Sequence, residues 1–332
     1  MSLKLSIIIP VYNRPDELNE LLDTLTAQSR KPDEVIVVED GSTISSKSIT
    51  KSFEQSLPIR YLEKENEGQG FARNFGYQHA TGDFLIVFDS DCLIPSNYLQ
   101  VVADFLTASE VDAYGGPDAA HPDFTVTQKA ISHSMTSVFT TGGIRGRKKH
   151  VGEYHPRSFN MGISKRTYEA TQGYIIPFMG EDLEFSTRII KHGFKTALIP
   201  EAFVYHKRRT DLKKFYQQLK YFGRARINLT RFHPEQIKII HLFPLIFSLG
   251  LVASLLLSFL WPVLGLPLIA TYGFYFSLIA VESLIVNRSL AVAFLTPIAA
   301  FLQMFGYGYG LTYEWIRKLR GIDPNTKYIE LY

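Results

Sequence analysis

Between residues 239 and 313 the chain carries only Glu282, Arg288 and His241 as titratable side chains other than tyrosine. No other feature of the 332 residues restricts the fold as strongly. IIHLFPLIFSLGLVASLLLSFLW (Ile239–Trp261) and VLGLPLIATYGFYFSLIAVESLIV (Val263–Val286) are each long enough to cross a hydrocarbon core, which takes about 20 apolar residues. The bland alternative is a pair of buried helices, but a soluble core has little use for so long an uncharged stretch. LAVAFLTPIAAFLQMFGYGYGLTY (Leu290–Tyr313) is a third candidate, weakened by Gln303 and three glycines.

Basic residues stand on both sides of this block. Lys207 to Arg231 hold nine lysines and arginines against Asp211 alone, and Arg317, Lys318, Arg320 and Lys327 follow it. The positive-inside rule places both flanks in the cytosol and favours an even number of crossings. The first two segments therefore read as a hairpin and the third as re-entrant or lying in the interface. Three plain crossings are the rival. The basic run is expected to lie against membrane lipids, where each cation contributes about 1 kcal/mol; nucleic acid is not its expected partner. Glu282, close to a segment end, is expected to reach the headgroups. Two Asn-x-Ser/Thr patterns, at Asn228 and Asn287, fall too close to the bilayer or on its cytosolic side for glycosylation.

The single cysteine, Cys92, excludes an internal disulfide and reads as packing. Met1–Lys4 lead directly into LSIIIPVY, too short for a secretory h-region, so the N-terminal part is expected in the cytosol.

That N-terminal part alternates. LSIIIPVY, DEVIVVEDGS, IRYLEKE and DFLIVFDSD read as strands. RPDELNELLDTLTAQ, a polar run from about Ser45 to Gln55, GQGFARNFGYQHA and PSNYLQVVADFLTAS read as helices between and after them. The pattern predicts an α/β fold with a Rossmann-like, mostly parallel central sheet covered on both faces. Beyond Val111 the alternation loosens. VDAYGGP and SFNMGIS read as strands, GEDLEFSTRIIKHG as a helix, and TALIPEAFVYH as one strand ending in His206. GGIRGRKKHVG reads as a mobile basic loop; its Arg145, Arg147, Lys148 and Lys149 could close over a diphosphate or simply be solvated. Gly68-x-Gly70 opens no dinucleotide site, because Arg73 stands where that fingerprint needs glycine.

Ligands of such sheets bind beyond the carboxyl ends of the strands. Asp40 and the Asp89/Asp91 pair lie at strand ends, so all three are expected in one crevice. On extended backbone, residues i and i+2 face the same way. Asp89 and Asp91 thus present two carboxylates to one side, an arrangement that a divalent cation and substrate phosphates stabilise.

SIIIPVYNRP, VIVVEDGS, GFARNFG, FDSDC and GEDLEFSTR stand in the order and spacing of glycosyltransferase family 2, and residues 4 to 206 resemble its inverting GT-A enzymes. The resemblance implies a nucleotide-diphospho-sugar donor and Mg²⁺ or Mn²⁺. It places the nucleotide base at Pro10, Val11 and Tyr12, the base or ribose at Asp40, and the nucleotide near Arg73 and Asn74. It assigns Asp89 to the ribose side, Asp91 to the metal and Asp182 to the catalytic base beside Glu181. Asn160 matches a donor-sugar or acceptor contact, and His206 a late metal or diphosphate ligand, with a plain surface histidine as the alternative. QQLKYFGRAR lacks the Gln-x-x-Arg-Trp element of processive members, which points to transfer of a single sugar.

The expected organisation is a donor half (1–110), a catalytic-base half (111–208), a basic juxtamembrane helix (209–238), transmembrane or interfacial helices (239–313) and a cytosolic tail (314–332). The expected protein is a hexosyltransferase-type enzyme on a prokaryotic inner membrane, acting on a lipid-linked or glycan acceptor. The alternative is a non-catalytic nucleotide-sugar sensor or scaffold, which the presence of both Asp91 and Asp182 disfavours.

Overall fold

The computed structural model describes residues 3–119, 121–141 and 153–322. They fall into two compact units, one drawn from Met1–His121 and Lys148–Lys207, the other from Pro122–Arg147 and Arg208–Pro324. The basic loop with Arg145, Arg147, Lys148 and Lys149 lies outside the described residues, as does Lys327.

The first unit opens with β1 (Leu5–Val11), α1 (Pro15–Thr26), β2 (Glu34–Asp40), α2 (Lys47–Ser52), β3 (Ile59–Lys64), α3 (Gln69–His79) and β4 (Phe84–Phe88). A two-residue β5 (Cys92–Leu93), α4 (Tyr98–Ala108), β6 (Ala113–Gly115) and β7 (Asp118–Ala119) follow. Next come α5 (Val126–Thr136) and α6 (Val138–Thr141), which belong to the second unit. The first unit closes with β8 (Asn160–Ser164), α7 (Lys165–Thr171), α8 (Glu181–Lys191), β9 (Thr196–Leu198) and β10 (Val204–His206).

The main sheet runs β3-β2-β1-β4-β8-β6-β9. β1, β2, β3 and β4 are parallel neighbours, and β8 is antiparallel to both β4 and β6. The pleat sorts the side chains. Leu5, Ile7 and Ile9 face the cluster holding Leu18, Leu22 and Leu99 of α1 and α4. Ile8, Ile36 and Val38 face Ala72, Tyr77, Phe185 and Ile189 of α3 and α8. Each fully buried aliphatic contributes about 1.5–3 kcal/mol, and burial on both faces explains why these strands are continuously apolar.

TALIPEAFVYH is not one strand. β9 pairs with β6 in the main sheet, while β10 joins β5 and β7 in a second, three-stranded sheet. Pro200 lies between them and cannot supply a ladder N–H. Gly116 fits beside this crossover because it has no side chain: a Cβ there would lie 1.7 Å from the Ala202 carbonyl oxygen.

The second unit is helical. α9 (Leu212–Leu229), α10 (Phe243–Leu260), α11 (Pro262–Asn287) and α12 (Leu290–Leu319) join α5 and α6. Three segments, Ile239–Leu260, Pro262–Asn287 and Leu290–Leu319, are long and apolar enough to cross a membrane. Pro297 and the glycines do not break the third, which is one 30-residue helix rather than a re-entrant pair. The glycines serve packing. A Cβ at Gly310 would lie 2.0 Å from the Lys220 carbonyl, and one at Gly223 2.1 Å from the Tyr307 carbonyl, so α9 and α12 touch backbone to backbone. α12 meets the α10–α11 hairpin near its open end, through Gly308 at Leu245, Phe301 at Phe276 and Thr296 hydrogen-bonded to Ser283 at 2.8 Å.

α5 was expected within the catalytic-base half. Its Ile131 and Met135 instead pack with Phe215, Leu219 and Ala299 of α9 and α12. Glu282 has a protein partner rather than a headgroup: it accepts hydrogen bonds from the Ser137 hydroxyl and the Val138 N–H, and lies 3.4 Å from His133.

Candidate active site

The site lies at the carboxyl ends of β1, β2 and β4, all in the first unit. β4 stops at Phe88, and Asp89 to Cys92 form a tight turn closed by the Cys92 N–H on the Asp89 carbonyl, 3.0 Å. The extended geometry read for Asp89 and Asp91 is therefore replaced by a turn, and the two carboxylates take separate partners. Asp89 meets the Arg73 guanidinium at 2.7 Å. Asp91 meets Arg14 at 2.8 Å through one oxygen and His206 Nε2 at 3.1 Å through the other.

The small sheet makes the second pairing. β10 runs antiparallel to β5 with His206 opposite Cys92, and the Lys207 N–H donates to the Asp91 carbonyl at 3.0 Å. The His206 ring stacks on Phe159, centroids 5.1 Å apart. Asp91, Cys92 and His206 bring their ligand atoms within 4.8 Å of one another. A carboxylate beside an imidazole is a pair that a divalent cation such as Mn²⁺ accepts, the carboxylate being the hard ligand. The thiol is a soft ligand and does not suit such an ion; burial, then the charges of Asp91 and Asp89, push Cys92 well above the ordinary thiol range. It stays protonated and packs, its Sγ 3.5 Å from the Phe159 carbonyl.

On the other side stand Glu181 and Asp182. Met179 (φ 63°) and Gly180 (φ 93°) take left-handed backbone in succession and turn the chain into α8, so both acids head the helix. Carboxylates are favoured at a helix N-terminus. Asp182 pairs with Arg157 Nε at 3.1 Å and accepts the Leu183 N–H. Glu181 is 4% exposed and is held by Gln69 and, at 3.2 Å, by Arg73. Burial and the neighbouring Asp182 raise its carboxyl to about 7 against the pull of Arg73.

Folded protein thus holds more protons than unfolded chain between the ordinary 4.5 and about 7. Stability should fall as pH rises through that window. Glu181→Gln should flatten the slope, read as urea midpoints at pH 5 and pH 8; an unchanged slope would assign it to another group.

Arg73 joins the two halves of the site. It is 1% exposed, bridges Asp89 to Glu181 and lies 5.4 Å over the Tyr174 ring. Asn74 forms a two-way amide pair with the Tyr174 backbone, 2.7 and 2.8 Å. The structure thus gives both residues of the Ala-Arg-Asn element protein partners. Asp40 likewise accepts the Glu67 and Gly68 N–H groups and Lys64 Nζ, fixing the entry to α3. Asn160, fully buried, donates to the Ala202 carbonyl at 2.8 Å and accepts from Tyr98. Pro10 and Tyr12 are half-buried around a buried Val11 at the end of β1. Next to them Asn13 (φ 53°) ties this strand end to the loop after β2, accepting from the Thr43 and Ile44 N–H groups.

Sequence reading missed Arg14, Arg157, Gln69 and Asn13. Arg14 was discoverable, being a cation two residues past a strand-end tripeptide. Arg157 was not, because its partner lies a loop and two elements further along the chain.

A mostly parallel sheet with an antiparallel β8 and acids at its carboxyl edge is the arrangement of the GT-A fold. More particularly, residues 6–168 match the family Glycosyl transferase family 2, and this part of the chain is a family 2 domain. Among relatives, an uncharacterized glycosyltransferase of Rickettsia felis is 35% identical over 103 residues, 31% of this chain. Glycosyltransferase GlyA of Streptococcus pneumoniae is 36% identical over 110 residues, 33% of this chain. The matches span only 17% and 16% of those relatives' own lengths. A solved mannosyltransferase of Pyrobaculum calidifontis, in complex with GDP-Man and Mn²⁺, shares the fold with TM-score 0.57 at 18% identity, over 97% of this chain and 89% of that one.

Proposed function

We propose that the chain is a membrane-anchored inverting glycosyltransferase. It moves one sugar from a nucleotide-diphospho-sugar to a hydroxyl of a lipid-linked or membrane-proximal acceptor. The observation that carries this reading is the Arg73 bridge, which holds the acid turn after β4 against the acidic head of α8. Asp89 and Glu181 are thereby tied together, and each stands next to a residue that sugar transfer needs: Asp91 toward the diphosphate and Asp182 toward the acceptor.

Pro10, Val11 and Tyr12 line the nucleotide base, with Asp40 shaping the wall through Glu67 and Gly68. Asp89 faces the ribose. Arg73, Asn74 and Asn160 act by positioning. Asp182 accepts the acceptor hydroxyl's proton as its oxygen attacks the anomeric carbon. The bond from that carbon to the diphosphate oxygen breaks with its electron pair leaving on the diphosphate, and attack from the opposite face inverts the configuration. Asp91 and His206 would hold Mg²⁺ or Mn²⁺, which when bound neutralises the leaving diphosphate as a Lewis acid. The neighbour solved with GDP-Man and Mn²⁺ supports this choice of donor class and ion.

The α10–α11 hairpin crosses the bilayer, and α12, lying along the basic α9 at the hairpin's open end, rests in the interface. This two-crossing reading keeps both basic flanks on the cytosolic side.

The test is a panel of nucleotide sugars with Mg²⁺ or Mn²⁺, read first by thermal shift and then by turnover on polyprenyl-linked and soluble acceptors. Metal-dependent stabilisation by one donor, followed by its turnover, is expected. Binding without turnover on any acceptor would instead mark a sensor.

A further inference from the structure

One cationic cluster in the helical unit has no part in the sugar-transfer chemistry. Lys220 Nζ lies 4.9 Å from the Tyr309 ring centroid and 5.4 Å from that of Tyr313. The Arg224 and Arg317 guanidiniums lie 5.2 and 5.8 Å from the same Tyr313 ring. Three cations therefore surround one side chain that is 38% exposed. The carboxylate beside them, Glu314, is fully buried and is shared by Arg224, Arg231 and Arg317. Among the described residues Lys220 meets no carboxylate.

The cluster's place in the fold indicates what brings the counter-charge. Leu290, Phe294, Ile298, Tyr309, Tyr313 and Ile316 of α12 are exposed. Their spacing of three and four residues, or sums of these, puts them on one stripe of the helix. Leu311 and Glu314 lie buried away from it. With α12 in the interface, as the two-crossing reading has it, this stripe faces the lipid and the cations stand at its edge. Trp315, 41% exposed, adds a further interfacial aromatic.

We propose that Lys220, Arg224 and Arg317 around Tyr313 bind the phosphate of an anionic phospholipid headgroup. Arg317 supplies guanidinium donors and Lys220 a point charge, while Arg224, buried with its Nε and Nη2 on Glu314, adds its charge from behind Tyr313. The acyl chains of the lipid lie along the α12 stripe. The site rests on the membrane reading given above.

The experiment uses the full chain in detergent, titrated with short-chain phosphatidylglycerol, short-chain phosphatidylcholine or inorganic phosphate, with occupancy read by native mass spectrometry. Phosphatidylglycerol is expected to bind more tightly than phosphatidylcholine. The double variant Lys220→Gln/Arg317→Gln should raise the phosphatidylglycerol Kd by about 25-fold, or about fivefold per lost charge, and leave phosphatidylcholine unchanged. Lys220→Arg should keep the site, and unchanged thermal melting of each variant excludes misfolding. Equal Kd values for the two lipids, or a double variant that binds like the parent, would overturn the proposal. Competition by inorganic phosphate at the lipid's own concentration would overturn the lipid assignment in favour of free phosphate. Carbonate extraction separates this from the membrane reading: a chain that stays in the membrane pellet without preferring phosphatidylglycerol sinks the site alone.

Discussion

Arg73→Met is expected to lose about 3–5 kcal/mol of stability, the usual cost of removing one partner from a buried ion pair. Burial works against the charge of Arg73, and Asp89, Tyr174 and Glu181 more than restore it, so its pKa is raised rather than lowered. Methionine fills much of the same volume but leaves Asp89 and Glu181 facing each other without a cation. A urea unfolding curve reads the loss directly. The double variant Arg73→Met/Glu181→Gln should recover part of it, because one of the stranded carboxylates is then gone. If the double variant is no more stable than the single, Arg73 acts through packing on Tyr174, and its role as an electrostatic bridge is wrong.

Asp182→Asn is expected to slow transfer by about 10²–10⁴-fold, the range for loss of a positioned base. Donor affinity should be kept, since the change lies on the acceptor side. The fold should tolerate it as well. The Asp182 side chain is 19% exposed, and its two contacts reach different oxygens, Arg157 Nε at Oδ2 and the Leu183 N–H at Oδ1, so asparagine keeps one acceptor and gives up the other at a position that water reaches. The measurement is single-turnover transfer beside isothermal titration of the donor. Unchanged turnover would move the base to another residue, and Glu181, with its raised carboxyl, is the next candidate.

Much of the α/β unit was legible because its signals are local. The apolar runs before Asp40 and Asp89 become β2 and β4, and the acids fall at the strand ends. Asp91 and His206 were each picked out singly, and the register of β10 against β5 brings them together. What stayed hidden depends on distant partners. The local alternation at Asp89-Ser90-Asp91 reads as strand, yet one turn hydrogen bond sends the two carboxylates to cations on α3 and at the start of α1. Pro200 sat in view within TALIPEAFVYH, but only the competing sheets show that the chain changes partners there. The glycines of α12 looked like weakness in a membrane segment. Gly310 is where α9 comes too close for any side chain, and Gly308 is where α12 meets the start of α10.

The placement of α5 bears on how this chain can be dissected. Its Ile131 and Met135 are covered by Phe215, Leu219 and Ala299, which lie well beyond the last strand in the chain. A protein cut after His206 keeps every acid of the site but strips α5 of that cover. The truncated chain then exposes Ile131 and Met135 in the middle of its own sequence and is expected to self-associate through them. Solubility is then expected to return on replacing Ile131 and Met135 with polar residues, not on moving the C-terminal cut.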